Sequence, residues 1–115
     1  MRRDELYLRD ITESADALAR FTSDVAQARF IDDDLVRSAV LQKLVVIGEA
    51  ASRISQEIRE RYGHNEWRDI VAFRNIAVHA YFNVDWNVVW NAAIKDAPEI
   101  KQQISAILTD EFPES

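Results

Sequence analysis

The sequence predicts an all-helical fold, namely an antiparallel up-and-down bundle of four helices. Its 115 residues include two glycines and two prolines, whereas a domain of short strands and tight turns requires many more of both. Apolar residues also recur at spacings of three and four over long segments, which is the period of an amphipathic helix. No repeat, low-complexity segment or linker divides the sequence, so we expect a single domain over residues 1–115.

The first two helices are predicted from this period and from the residues at their ends. Apolar residues recur from Leu8 to Val25, so the first helix covers about residues 4–25. The second begins at Leu35, because the three aspartates before it offer an N-cap and a negative first turn. It ends near Gly63, since glycine commonly terminates a helix. Small residues at its centre would let another helix approach closely: Gly48, Ala50 and Ala51.

Two further helices are predicted in the second half of the chain. The third covers about residues 65–78 and is followed by a turn-like segment. The fourth begins with Asp85 as its cap and continues to Leu108. Pro98 lies inside this helix, where proline removes a backbone donor and clashes with the preceding turn. We therefore expect the fourth helix to be kinked near Pro98, or briefly broken around Asp96–Ala97.

Composition and charge exclude several classes of protein. The chain has no cysteine, so a disulfide scaffold and a zinc ribbon are excluded. Its first ten residues are rich in charge and its longest apolar run is Leu44–Ile47, which argues against a signal peptide and a membrane span; we expect a cytoplasmic protein. The formal charge of −6 and the pI near 4.8 argue against coating of nucleic acid, but they leave room for a local basic site.

Histidine is the remaining candidate for proton transfer, because the sequence has no phosphate-binding glycine loop, nucleophile motif or metal-ligand spacing. The chain contains two histidines. His64 lies in a polar segment and is interpreted as a solvated turn residue. His79 lies near Arg74, Asn75 and Tyr81 at the end of the third predicted helix, where these polar groups interrupt an apolar stretch. These four residues are therefore the candidate site.

The spacing of these residues favours phosphate chemistry in a cleft. Asn75 and His79 are four apart and share a helix face, so the amide can hold one imidazole nitrogen. Arg74 and His79 diverge by about 140° on a continuous helix. They meet if the helix unwinds after Val78, if the arginine reaches across, or if a second subunit supplies its own copy. An arginine suits a phosphodiester, and a histidine can move a proton at a ribose 2′-hydroxyl or a leaving oxygen.

Arg74, His79 and Tyr81 stand in the segment RNIAVHAY, which resembles the motif of HepT-type toxins in the HEPN superfamily of helical ribonucleases. Residues 46–55 and 84–90 are similar to that family in kind and order, and the resemblance covers nearly the whole chain. It implies a homodimer in which the motif residues of both subunits line a shared cleft. It also implies an endoribonuclease that needs no metal or cofactor, with Arg74 and His79 as the catalytic pair and Asn75 in support.

The same resemblance implies a partner and a modification. Toxins of this type are held in check by a nucleotidyltransferase antitoxin of the MNT type, usually encoded beside the toxin. In family members similar to this chain the antitoxin can transfer AMP to the motif tyrosine, which here is Tyr81. That modification would add bulk and negative charge beside Arg74, which would occupy the cation and repel RNA. The chain is thus predicted to be the ribonuclease of a toxin–antitoxin pair.

Structural interpretations stay open on the residues alone. Arg74 can pair with a carboxylate such as Glu49, while His79 and Tyr81 form interhelical hydrogen bonds. Glu49 can also contact the active cleft from the second helix, or pair with Arg53 one turn later. Three tryptophans are interpreted as packing residues: Trp67, Trp86 and Trp90. Three arginines around the loop after the second helix are solvated or help to hold an RNA backbone: Arg59, Arg61 and Arg68.

Two functions without catalysis compete with the ribonuclease. A helical binding partner of a nucleotidyltransferase would use the same groove to hold a nucleotide or another protein, and the acidic charge favours this slightly. A plain dimerising bundle would use its polar residues only to fix the register of its helices. Substitution of Arg74 or His79 would then lower the melting temperature rather than an activity.

Overall fold

The computed structural model describes residues 2–76 and 85–113, and most of these are helical. In chain order the helices are α1 (Arg2–Thr22), α2 (Gln27–Asp32), α3 (Asp34–Ser52), α4 (Gln56–Arg61), α5 (Trp67–Ala72), α6 (Trp86–Asn91) and α7 (Ala97–Glu111). A 3₁₀ turn (Phe73–Asn75) follows α5, and a π-helical turn (Ala92–Asp96) joins α6 to α7. The all-helical fold class is confirmed for these residues, among which no strand occurs. The antiparallel up-and-down arrangement of four helices stays a prediction.

Short polar side chains begin three of these helices. The carboxylate of Asp33 accepts hydrogen bonds from the backbone N–H groups of Leu35 (3.0 Å) and Val36 (3.1 Å) at the start of α3. The carboxylate of Asp85 accepts one from the N–H of Asn87 (3.0 Å) at the start of α6. Each bond satisfies a donor that the first turn of a helix leaves free. The predicted capping by the aspartates before Leu35 and by Asp85 is therefore confirmed.

The predicted boundaries of the first two helices are wrong in two places. Helix α1 ends at Thr22 rather than near residue 25, and a left-handed residue, Asp24 (φ 60°), turns the chain into α2. The predicted second helix ends at Ser52, and the separate helix α4 begins at Gln56. The hydroxyl of Ser55 accepts from the N–H of Ile58 (3.3 Å) and so caps α4. A serine that competes for backbone donors in this way interrupts a helix that periodicity alone would continue.

The third and fourth predicted helices also differ from the structure in detail. Helix α5 begins at Trp67 and tightens into the 3₁₀ turn at Phe73. In the fourth, Asp96 and Ala97 keep right-handed helical angles (φ −77° and −62°), so the predicted break at these residues is wrong. The π-helical turn ends immediately before the turn that contains Pro98. Such a turn accommodates the lost proline donor without ending the helix, and the kink near Pro98 stays a prediction.

The core is built around α1, which packs against α3 and α7, while α3 also packs against α5 and the 3₁₀ turn. Fully buried aliphatic side chains from three helices meet there: Leu8, Ile11, Leu18, Leu44, Ile47, Ile104 and Ile107. Phe30 of α2 is fully buried and packs edge-on against Trp86 and at 5.0 Å between ring centroids against Trp90. Trp67 is 7% exposed. The interpretation of the tryptophans as packing residues is confirmed.

A buried carboxylate fixes the start of α1 to the chain segment between α3 and α4. Asp4 is 3% exposed. It accepts hydrogen bonds from both the backbone N–H (2.8 Å) and the hydroxyl (2.7 Å) of Ser55. A buried carboxylate is stable only when its oxygens are paired in this manner.

Among the described residues, no helix is long and apolar enough to cross a membrane.

Candidate functional site

The 3₁₀ turn that carries Arg74 and Asn75, here called the Arg74 turn, lies between two anchors. Phe73 and Ile76 are half-buried and pack against the core. Arg74 and Asn75 stand between these anchors and are exposed. The tighter 3₁₀ geometry gives three residues per turn, so the two anchors, three residues apart, fall on one face and hold the polar pair toward solvent. The turn therefore exposes an arginine and an asparagine between two residues that pack against the core.

Arg74 has no ion-pair or hydrogen-bond partner within the part of the chain that the structure describes. The alternative in which Arg74 pairs with Glu49 is thus not found. Nor do Glu49 and Arg53 form an ion pair in the described ranges; the backbone oxygen of Glu49 instead accepts a hydrogen bond from the hydroxyl of Ser52 (2.6 Å). An exposed guanidinium is suited to bind an anion through its fork of N–H donors.

The other two members of the predicted set, His79 and Tyr81, lie outside the described residues. Of the predicted site residues, the structure brings Arg74 and Asn75 together on one turn. His64, the other histidine, is exposed, with its ring centroid 6.4 Å from that of Tyr62. Its interpretation as a solvated residue of a turn is confirmed.

Helix α3 supports the Arg74 turn from behind. Gly48 is buried at the middle of α3, and its α-carbon faces the backbone of Phe73 and Arg74. Ala50 and Ala51 are also buried, at 5% and 0% exposure. The small residues of α3 therefore let elements of the same chain approach closely.

A pocket of about 350 Å³ borders Phe73 on the side of α5 and α7. Its rim carries four carboxylates and a histidine: Glu66, Asp69, Asp96, Glu99 and His64. Burial, together with the neighbouring charge of Glu99, raises the pKa of Asp96 above its ordinary value. A pocket with this charge repels phosphate. An anion that binds Arg74 is therefore expected to approach from a direction other than this pocket.

Two of the arginines near α4 are occupied by the fold. The Nη2 of Arg59 donates to the backbone oxygen of Ala51 (2.7 Å) at the end of α3. Arg61 forms ion pairs with Glu57 (2.8 Å) and with Glu111. Arg68 is exposed. The interpretation that these three arginines jointly bind an RNA backbone is weakened, because two of them already bind protein oxygens.

Comparison with known proteins decides the family. The family model described as "Ribonuclease HepT-like" matches residues 11–107. The chain belongs to the HepT-like ribonuclease family. The match includes α3, the Arg74 turn and the segment with His79 and Tyr81, so the whole candidate site lies within the family region of this HepT-like chain.

Individual relatives agree with this family. The chain is 36% identical over 101 residues to "Putative RNase MJ1380" of Methanocaldococcus jannaschii, covering 88% of this chain and 93% of the relative. It is 36% identical over 104 residues to "Putative RNase MJ0125" of the same organism, covering 90% of each protein. It is 33% identical over 95 residues to "Probable ribonuclease HepT" of Thermococcus cleftensis, covering 83% of this chain and 86% of the relative. No solved structure matches.

The site of this HepT-like chain contains one residue whose place the sequence did not reveal. The sequence places Gly48 inside a predicted helix but does not indicate which residues it contacts. The structure shows that it contacts the backbone of Arg74 itself. A glycine in a helix interior, where it costs stability relative to alanine, was the available signal that something approaches closely at this point.

Proposed function

We propose that this chain is a metal-independent endoribonuclease in which Arg74 and His79 form the catalytic pair and Asn75 supports them. Membership of the HepT-like family carries the proposal, and the exposure of Arg74, whose side chain has no partner among residues 2–76 and 85–113, agrees with it. We take residues 1–115 as one HEPN domain whose helices form an antiparallel bundle. The substrate is RNA, since the neighbouring 2′-hydroxyl serves as the nucleophile.

The reaction assigns one task to each residue. His79 removes the proton of the ribose 2′-hydroxyl or protonates the leaving 5′-oxygen, and water carries out the other of these two proton transfers. The 2′-oxygen forms a bond to phosphorus while the bond from phosphorus to the 5′-oxygen breaks. The products are a 2′,3′-cyclic phosphate and a 5′-hydroxyl end. Arg74 binds the phosphate and stabilises the charge that develops on its oxygens.

The active cleft of the proposed enzyme lies between two copies of the chain. Arg74 and His79 point in different directions on a continuous helix, and a second subunit supplies the missing partner. In such a symmetric dimer the same patch meets itself. We propose that the motif residues of both subunits line this shared cleft.

The proposed regulation acts on Tyr81. An MNT-type nucleotidyltransferase antitoxin transfers AMP from ATP to the tyrosine hydroxyl and releases pyrophosphate. The new phosphodiester carries a negative charge into the cleft, where it occupies Arg74 and repels RNA. The chain is then the toxin of a toxin–antitoxin pair that works in the cytoplasm.

Cleavage of total cellular RNA by purified protein tests the catalytic roles. Arg74→Ala and His79→Ala should each lower the rate about 10²–10³-fold or more, because each removes a group that acts in the transition state, while the melting temperature stays the same. Arg29→Ala, an exposed arginine on α2, and His64→Ala are the matched controls, and both should cleave at the wild-type rate. Wild-type rates in both Arg74→Ala and His79→Ala would rule out the proposal.

Intact mass of the protein, expressed alone and with its neighbouring nucleotidyltransferase, tests the regulation. We expect an increase by AMP units that peptide mapping confines to Tyr81, and only with the partner present. A stable complex that binds nucleotide, without modification and without cleavage of any RNA by the free protein, would instead favour the binding partner of a nucleotidyltransferase.

A further inference from the structure

Gly48 of α3 lies directly against the backbone of the Arg74 turn. A Cβ atom added at Gly48 would lie 2.2 Å from the backbone nitrogen of Arg74. It would also lie 2.8 Å from the carbonyl carbon of Phe73 and 2.9 Å from the Cα of Arg74. All three are backbone atoms, so no side-chain rotation can relieve the contact. A side chain at position 48 therefore requires the turn or the helix to move.

The space, and not the backbone conformation, is what requires glycine at this position. Neither glycine of the chain has a positive φ, so alanine could adopt the backbone angles of both. Gly63 shows the contrast, because its added Cβ would lie 3.3 Å from the oxygen of Glu60 and 3.6 Å from that of Arg59. These distances need an adjustment of a few tenths of an ångström at most. In an open helix, alanine is favoured over glycine, so the glycine at 48 needs a reason in packing.

We propose that Gly48 is a positioning residue for the ribonuclease: it fixes how deeply the Arg74 turn sits on α3 and thereby where the guanidinium of Arg74 stands in the cleft. The inference rests on the proposed function for its effect on catalysis. To restore ordinary contact at 3.4 Å, a Cβ at position 48 would displace the turn by about 1 Å. Misplacement of a catalytic group by about 1 Å can cost about 10²-fold in rate.

Other features of the turn make Arg74 depend on this contact. Its side chain has no partner within residues 2–76 and 85–113 that would hold it in place. The backbone path of the turn sets where the side chain of Arg74 begins. Phe73 and Ile76 set the rotation of the turn through their packing on the core. Gly48 sets its depth.

The first test compares RNA cleavage by Gly48→Ala with cleavage by two controls. Gly48→Ala should lower kcat about 100-fold per folded molecule, with the folded fraction measured by circular dichroism. Gly63→Ala makes the same chemical change where the nearest backbone atom must shift by only a few tenths of an ångström, and it should keep the wild-type rate. Ile104→Val removes a buried methylene from α7, outside the Arg74 turn, and should lower the melting temperature without lowering kcat. If Gly48→Ala keeps the wild-type kcat while folded, the inference is wrong.

A double-mutant cycle separates positioning from general damage. Binding of a fluorescein-labelled, 2′-O-methylated 20-mer RNA, which cannot be cleaved, is measured for Gly48→Ala, Arg74→Ala and the double variant. If Gly48 acts through Arg74, the double variant binds no more weakly than Arg74→Ala alone, because residues that act as a unit are not additive. If the losses of RNA affinity in the two single variants multiply in the double variant, Gly48 acts independently of Arg74, and the inference is wrong.

A third measurement does not depend on catalysis or on folding of the variant. The wild-type protein should show a nuclear Overhauser effect between an α-proton of Gly48 and the amide proton of Arg74. Its absence, with both resonances assigned, would overturn the inference. Failure of the wild-type protein to cleave or bind any RNA would refute the proposed function instead. The Overhauser effect would still report whether Gly48 seats the turn, so the two failures are distinguishable. If Gly48→Ala does not fold, the Overhauser effect in the wild-type protein still decides whether Gly48 contacts the turn.

Discussion

Two regions of the molecule differ in how far their polar groups are hydrogen-bonded within the described residues. At the α3–α4 corner, which comprises residues 53–67, Ser55 donates twice to Asp4, Arg59 donates to Ala51, and the indole of Trp67 donates to the backbone oxygen of Tyr62 (3.1 Å). At the Arg74 turn, Arg74 and Asn75 are exposed, and their side chains form no hydrogen bond within the described residues.

This difference separates structural from available polar groups. A hydrogen-bonded buried group stabilises the fold because its removal leaves a partner unsatisfied. An exposed group without a partner adds little to stability, but it can meet a ligand at once. Substitutions in the two regions should therefore change different measured quantities, and three predictions test this difference.

The largest effect on stability is expected from Asp4→Ala. The substitution leaves the N–H and the hydroxyl of Ser55 without their acceptor, and bonds to a charged acceptor are worth about 1.5–3 kcal/mol. We expect the free energy of unfolding in urea to fall by about 2 kcal/mol. Asp10→Ala, an exposed position on the same helix, is the control and should change it by about 0.5 kcal/mol or less. Equal effects of the two substitutions would remove the distinction.

A smaller, pH-dependent effect is expected from Glu111→Gln. The hydrogen bond from Tyr62, followed by Arg61, holds the pKa of the Glu111 carboxyl below its ordinary value. A carboxyl whose pKa is lowered on folding contributes stability above its unfolded pKa of about 4.3 and loses it as the pH falls through the folded value. Melting temperatures of the wild type and Glu111→Gln should therefore differ at neutral pH and converge in acid. Parallel curves across the whole range would contradict this role of Glu111.

The smallest effect on stability is expected at the Arg74 turn. Asn75→Ala should change the free energy of unfolding by about 0.5 kcal/mol or less, as at other exposed positions, yet it should lower RNA cleavage. Asn91→Ala, at an exposed position at the end of α6, is the matched control and should leave both unchanged. A loss of stability in Asn75→Ala with unchanged cleavage would place Asn75 among the structural groups.

The sequence predicted the features that depend on nearby residues. The caps at Asp33 and Asp85 follow from short side chains beside helical segments, and the buried faces follow from apolar spacing. It missed the break between α3 and α4, because that break is held by Asp4, 51 residues before Ser55. It also missed α2, whose six residues are too few for a periodic pattern and are held by the packing of Phe30.

The candidate site was predicted by residue type and not by arrangement. The chemistry of the residue types predicts that Arg74 binds a phosphodiester and that Asn75 holds an imidazole nitrogen of His79. The exposure of Arg74 and Asn75, and the lack of a pair between Arg74 and Glu49 in the described residues, required coordinates. The contact of Gly48 with the backbone of Arg74 joins residues 26 apart. No local pattern encodes such a contact, although the unusual glycine marks where it lies.

The π-helical turn at residues 92–96 has a consequence for how the length of this protein can vary. A π-helical turn holds one residue more than the α-helical turn it replaces, and apolar side chains face the core on both sides of it, at Val89 and Ile100. A chain one residue shorter between Asn91 and Pro98 can thus form an ordinary α-helix with the same faces turned inward. A single-residue deletion within this turn should leave the protein folded. A deletion one turn further along α7 should unfold it, because it would rotate Ile104 and Ile107 by about 100° out of the core.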